Sequence, residues 1–279
     1  MQPGFLRARI GACLEKKRLR DKERATYEAL VKSQKHLATE LAEAAGYVRS
    51  LLPAALTGPV ETEWCFQPSE QLGGDAFGYH WIDPDYLAIY LLDVCGHGVG
   101  AALLSVSVLN TIRAEGLAGV DFRRASEVLT GLNRAFRMEH QNNLFFSIWY
   151  GVYQRSLRQL RFAGGGHPPG LLLAPATSGE IVPRCLRTEA PAVGCLEQAR
   201  YTDTVEQVLP GSRLLVFSDG AFEIFQERER VGTWQEFVAE FHDAQVQQLR
   251  PRQRYDRALE LRKATCLEDD FSFLELRFS

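Results

Sequence analysis

The stretch that decides the fold is Tyr86-Leu87-Ala88-Ile89-Tyr90-Leu91-Leu92-Asp93-Val94-Cys95-Gly96-His97-Gly98. An apolar run of strand length ends on an acid, and two glycines follow around a histidine. Ala101 to Ile112 then reads as a helix. Glycine beside an acid lets the chain turn sharply and brings main-chain carbonyls close to whatever the acid binds. Three more aspartates stand in comparable small-residue contexts: Gly73-Gly74-Asp75, Ser218-Asp219-Gly220 and Asp269-Asp270. Each alone is weak, because Asp-Gly is a common turn dipeptide. The four together, each at the end of a strand-like run, are specific.

Outward from these motifs the chain reads as strands in groups. Val60, Thr62, Trp64 and Phe66 alternate like a half-buried strand. Phe146, Ile148, Tyr150 and Val152 alternate too. They are expected to pair with Leu160-Arg161-Phe162 through a turn near Arg155-Ser156. Leu214 to Phe217 is an apolar strand leading to Asp219, and Leu274, Leu276 and Phe278 share one face of a closing strand. Residues 123–138 and 234–264 have helical patterns. Grouped strands with two central helices and a late one predict an α+β layered sandwich rather than a βαβ repeat.

Carboxylates gathered at one rim repel unless cations neutralise them. The donors offered are oxygen only, so Mg²⁺ or Mn²⁺ is the expected ion. A carboxylate bridging two such ions can hold an activated water for in-line attack on a phosphoryl group. Gly164-Gly165-Gly166-His167-Pro168-Pro169 looks like a phosphate cradle, but the prolines forbid a helix after it. It is read as a tight loop beside the site. His97 is expected to fix the backbone near Asp93, with general acid as the alternative. Nucleophile-elbow and Walker A motifs are absent, which excludes serine hydrolases of that kind and P-loop enzymes.

Residues 13–52 read as one long helix, without glycine before Gly46 or proline before Pro53. Tyr27, Gln34, Leu41 and Val48 fall seven apart, and Leu30, Leu37, Ala44 and Leu51 do the same three places on. That seam predicts a two-stranded coiled coil, hence a homodimer through residues 27–51. Packing on the chain's own body through the same stripe is the alternative. Residues 1–52 carry a net charge of about +5 and the remainder about −8. Signs alternate along the basic helix as on a solvated face, so no nucleic-acid partner is expected. The six cysteines form no CxxC or Cys/His cluster. Neither zinc nor a disulfide framework is signalled, and the thiols suit a reducing cytoplasm. Arg7 and Arg9 break the early apolar stretch, so no signal peptide is expected, and no run reaches membrane-spanning length.

At these motifs the chain resembles the sporulation and stress-response (SpoIIE/RsbU-like) branch of the PPM, or PP2C-type, metal-dependent protein serine/threonine phosphatases. The matching pieces are Leu72 to Asp75, Asp93 to Gly98 with Ala101-Ala102-Leu103, Ala163 to Pro169, Phe217 to Gly220, and Asp269 to Ser272. They cover residues 60–279 in family order. The resemblance implies an αββα sandwich over residues 53–279 with a two-metal centre. Asp93 would bridge both ions with the Val94 carbonyl joining one, Asp75 would bind one, and Asp219 and Asp269 would hold the other. Asp93 and Asp219 are the residues on which catalysis would depend most. Ser272 stands where threonine is usual, and Gly164-Gly165-Gly166 is looser than the usual Ala-Gly-His.

Residues 1–12, with Arg7-Ala8-Arg9-Ile10-Gly11, resemble the end of a receiver domain, with 13–52 as its linker. That would make the chain a response-regulator output module of two-component signalling. The implied substrate is a phosphoserine or phosphothreonine on an anti-sigma-factor antagonist. The rival readings are a pseudo-enzyme that binds a signalling partner and a phosphohydrolase acting on a small molecule.

Overall fold

A computed structural model of the chain describes residues 3–69, 71–176, 180–226 and 229–279. It divides into two compact units, Met1–Tyr47 and Val48–Ser279. The first is helical. Helix α1 runs Pro3–Ser50 without a break at residue 12. It closes on a tightened turn, where the Leu51 and Leu52 amides donate to the Val48 and Arg49 carbonyls three residues back. Pro53 then prevents continuation.

The second unit holds twelve strands among the described residues. They are β1 (Val60–Gln67), β2 (Ala76–Trp81), β3 (Tyr86–Val94), β4 (Phe146–Gln154), β5 (Gln159–Gly165), β6 (Gly170–Pro175), β7 (Ile181–Leu186), β8 (Thr204–Gln207), β9 (Arg213–Phe217), β10 (Phe225–Gln226), β11 (Glu229–Arg230) and β12 (Phe271–Phe278). One sheet has the order β1-β12-β9-β6-β7 and the other β2-β3-β4-β5-β8, while β10 and β11 form a separate hairpin. All strand pairs within the two sheets are antiparallel.

Period-two alternation sorts the side chains into layers. Leu87, Ile89 and Leu91 of β3 meet Leu274, Leu276 and Phe278 of β12 between the sheets. Ala88, Tyr90, Leu92 and Val94 face the other way, onto helices α2 (Val99–Arg113) and α3 (Ala125–Ala135). Phe271 and Phe273 face helices α4 (Trp234–Glu240) and α6 (Pro251–Arg262) on the opposite side. A short α5 (Ala244–Gln247) links those two. The result is helices, sheet, sheet, helices: the αββα sandwich of the α+β class. Burying one large apolar side chain in such a layer contributes roughly 1.5–3 kcal/mol.

Two helical expectations are corrected. Helix α3 ends at Ala135, with Phe136 at φ −119° and ψ 59°, and a separate 3-10 turn covers Met138–His140. The 234–264 stretch is three helices rather than one. Asp243 caps α5 by accepting from the Gln245 amide, and Pro251 opens α6 where its missing N–H costs nothing. No helix among the described residues is long and apolar enough to cross a membrane.

Candidate metal centre

The four sequence-marked aspartates reach one rim from two sheets. Along β3, Leu87, Ile89 and Leu91 point between the sheets, and Asp93 continues that row near the strand end. Strand β2 pairs with Ala76 opposite Leu92. The Val94 amide donates to the Gly74 carbonyl at 3.4 Å. This register sets Asp75 across from Asp93, on the same face. In the other sheet, Phe217 of β9 lies opposite Phe273 of β12. The Ser218 amide continues the ladder to the Ser272 carbonyl at 3.0 Å. Asp219 follows in a 3-10 turn, Asp219–Ala221. Asp269 and Asp270 directly precede β12.

These carboxyls act on one another. Burial, then Asp219, Asp269 and Asp270, pushes Asp93 up to about 8. Burial, then Asp93 and Asp270, holds Asp75 well above the usual carboxylate range. Burial, then Asp269 and Glu223, pushes Asp219 up to about 6. Asp269 is raised as well, by burial first, against a hydrogen bond that its Oδ1 accepts from the Asp270 amide at 2.8 Å. Groups raised by both burial and like charge are those whose ionised forms need a cation nearby.

Three features fit divalent ions. Asp75 is 1% exposed, and its Oδ2 is buried without a hydrogen-bond partner. The hydroxyls of Ser218 and Ser272 stand near enough to oppose the rise of Asp75. Even so, Ser272 Oγ and Asp75 Oδ2 reach hydrogen-bond geometry with no partner. Gly74 leaves room for two main-chain oxygens: a Cβ there would lie 2.6 Å from the Val94 carbonyl oxygen and 3.1 Å from that of Gly96. Finally, the donors are all oxygen, the preference of Mg²⁺ and Mn²⁺. Among the described residues no three His, Cys, Asp or Glu side chains close on one point as a finished metal shell.

Asp270 is a site residue that sequence reading left without a role. It is buried, and its Oδ1 accepts from the amide and hydroxyl of Ser69 at 2.8 and 3.0 Å. Its Oδ2 accepts from the Asp75 amide at 3.3 Å. Asp270 therefore ties the approach to β2 onto the start of β12 and orients Asp75. A Cβ on Gly73 would collide with the Asp270 carboxylate, and one on Gly220 with its carbonyl. Glycine at both positions is thus explained by close approach. In sequence, nothing distinguishes Asp270 from Asp269 beside it.

The triple glycine is only partly a loop. Gly164 and Gly165 complete β5, and only Gly166, at φ 69°, turns. His167 follows, and its Nδ1 donates to the Pro168 carbonyl at 2.9 Å. Burial pushes its imidazole down to about 4, so it is neutral at physiological pH. Cys95 is structural: its Sγ accepts from the Phe145 amide at 3.3 Å. A cavity of about 400 Å³ opens beside the rim, with Asp93, Asp219, Glu223, His167, Arg187 and Trp234 in its wall. A second, of about 400 Å³, lies around Phe222, Ile224 and Phe237 and holds none of the five aspartates.

The family model of stage II sporulation protein E (SpoIIE) matches residues 83–279. The phosphoserine phosphatase RsbU of Bacillus subtilis is 26% identical over 216 residues, 75% of this chain and 61% of RsbU. The phosphoserine phosphatase RsbP of the same organism is 24% identical over 177 residues, 62% of this chain and 42% of RsbP. The chain thus spans less than two thirds of these relatives' lengths. Among solved structures, the SiaA-PP2C domain of Pseudomonas aeruginosa superposes with a TM-score of 0.71 at 20% identity. That match covers 88% of this chain and 99% of the SiaA domain, and it supports the fold.

Proposed function

Because this chain belongs to the SpoIIE family, we propose that it is a divalent-metal-dependent protein phosphatase acting on phosphoserine or phosphothreonine. The observation that carries this is the rim of mutually repelling carboxyls with the orphaned Asp75 Oδ2. Asp75, Asp93, Asp219, Asp269 and the Val94 carbonyl would hold two ions, Mn²⁺ or Mg²⁺. Bound there, the ions would lower the pKa of a coordinated water and offset charge on a phosphoryl group. The chain's own contribution is positional. Asp270 fixes Asp75, the β2–β3 register fixes Asp75 against Asp93, and the turn after Ser218 presents Asp219. The names of RsbU and RsbP support phosphoserine as the target. The motif resemblance narrows the protein to an anti-sigma-factor antagonist, in the cytoplasm, with the chain as the output module of a response regulator. The test is release of phosphate from a phosphoserine protein and from an aryl phosphate, each with and without Mn²⁺. Metal-dependent turnover of the protein substrate is expected. Turnover confined to the aryl phosphate would favour a small-molecule phosphohydrolase, and none on either would favour a pseudo-enzyme.

The helix is proposed as the dimerising element. Tyr27, Leu30 and Leu37 of the seam are 67%, 54% and 60% exposed. A second copy would remove that apolar surface from water. Leu37→Asp with Leu41→Asp is expected to halve the mass measured by light scattering and to change turnover, with Mn²⁺ affinity unchanged. A wild type that is already monomeric would refute the dimer. Unchanged kinetics in the monomeric variant would leave the helix a passive spacer.

A further inference from the structure

We infer that Arg187 is the phosphoryl-binding residue of this site, taking the non-bridging oxygens of the substrate's phosphate. The inference rests on the phosphatase reading of the carboxylate rim. The cavity beside that rim is acidic, with Glu189 and Glu223 joining Asp93 and Asp219 in its wall. His167 adds no charge, because burial keeps it neutral. Among the described residues, Arg187 is the one permanent cation lining the cavity.

No carboxylate among the described residues is paired with Arg187, and the Cys185 thiol is its electrostatic neighbour among them. Arg184, three residues earlier, pairs with Glu206 at 2.6 Å. Glu223, in the same cavity wall, is taken by Arg230. Arg187 has neither an ion pair nor a side-chain hydrogen bond among the described residues, although Glu189 lies two positions on. Leu186, immediately before it, is buried between the sheets, so the exposed guanidinium stands on an anchored main chain. A guanidinium offers five donors in a planar fork, matched to two oxygens of a phosphate. A phosphoryl dianion approaching Asp93 and Asp219 meets unfavourable charge that bound cations and one arginine can together offset.

The test is calorimetric titration of inorganic phosphate into the Mn²⁺-loaded protein, run beside turnover of an aryl phosphate and a phosphoserine protein. Arg187→Ala is expected to weaken phosphate binding about tenfold and to raise KM for both substrates similarly, with a smaller change in kcat. Arg187→Lys should recover part of the loss, since it keeps the charge and loses the fork. The residue is exposed, so both variants should melt like the wild type. Unchanged phosphate affinity in Arg187→Ala overturns the assignment and leaves the phosphatase reading intact. A KM increase limited to the phosphoserine protein, with phosphate affinity unchanged, overturns it too and gives Arg187 to the polypeptide. Arg187-dependent phosphate binding in a wild type without turnover would keep the anion site and remove the phosphatase reading.

Discussion

Asp93→Ala and Asp219→Ala are each expected to lower turnover of a phosphoserine protein by about a thousandfold or more while leaving the fold intact. The water that attacks a phosphoryl group is a poor nucleophile unless its pKa falls by several units, and that fall depends on the ligands that hold the ions. Asp93 stands at the centre of the constellation, acted on by Asp219, Asp269 and Asp270, and no neighbouring side chain replaces its position. The fold survives because the sheets and their helices do not depend on either carboxyl. The layers are built by the apolar rows on either side of each sheet. Circular dichroism should match the wild type in both variants. Wild-type turnover of either one with Mn²⁺ present would remove it from the centre.

The second large effect concerns the protein stripped of metal. Asp93 is pushed up to about 8 and Asp219 to about 6, against an ordinary 3.8. Between about pH 4 and 8, the folded state therefore holds protons that the unfolded state has released. Stability conferred by those protons is complete below about pH 4 and is lost as pH rises through the folded values. Each group contributes a slope of up to about 1.4 kcal/mol per pH unit within its window. The chelated protein should thus melt progressively lower from pH 5 to pH 8. Saturating Mn²⁺ should flatten the trend, because cations replace the protons. Asp93→Asn should raise the melting temperature of the chelated protein at pH 8 while abolishing turnover. A chelated wild type whose melting temperature does not move across this range would mean that the carboxyls are not crowded as described.

The strand ends that carry these aspartates are largely legible in the sequence. Asp93 to Gly98 is local, so its strand, acid and turn could be read together. Asp75, Asp219 and Asp269 each sat at a strand boundary that hydrophobic patterning exposes. What sequence could not supply was pairing. Asp75 meets Asp93 through the β2–β3 register, and Asp270 earns its role by reaching Ser69 and the Asp75 amide from about two hundred positions away. Strand β6, with Leu171, Leu172 and Leu173 all buried, is covered on both faces and shows no alternation to read. Arg187 is one exposed arginine among many until the cavity wall gathers it with Asp93 and Asp219. The late helical stretch reads as continuous in sequence because charge patterning persists across the Asp243 and Pro251 boundaries, where the backbone breaks.

A two-ion centre on these carboxylates is counted by calorimetric titration of Mn²⁺ into the chelated wild type, paired with electron paramagnetic resonance of the loaded protein. Two ions per chain are expected, magnetically coupled through a shared ligand, with the coupling lost in Asp93→Asn. Failure to bind Mn²⁺ or Mg²⁺ saturably, or two uncoupled ions indifferent to Asp93, would contradict it.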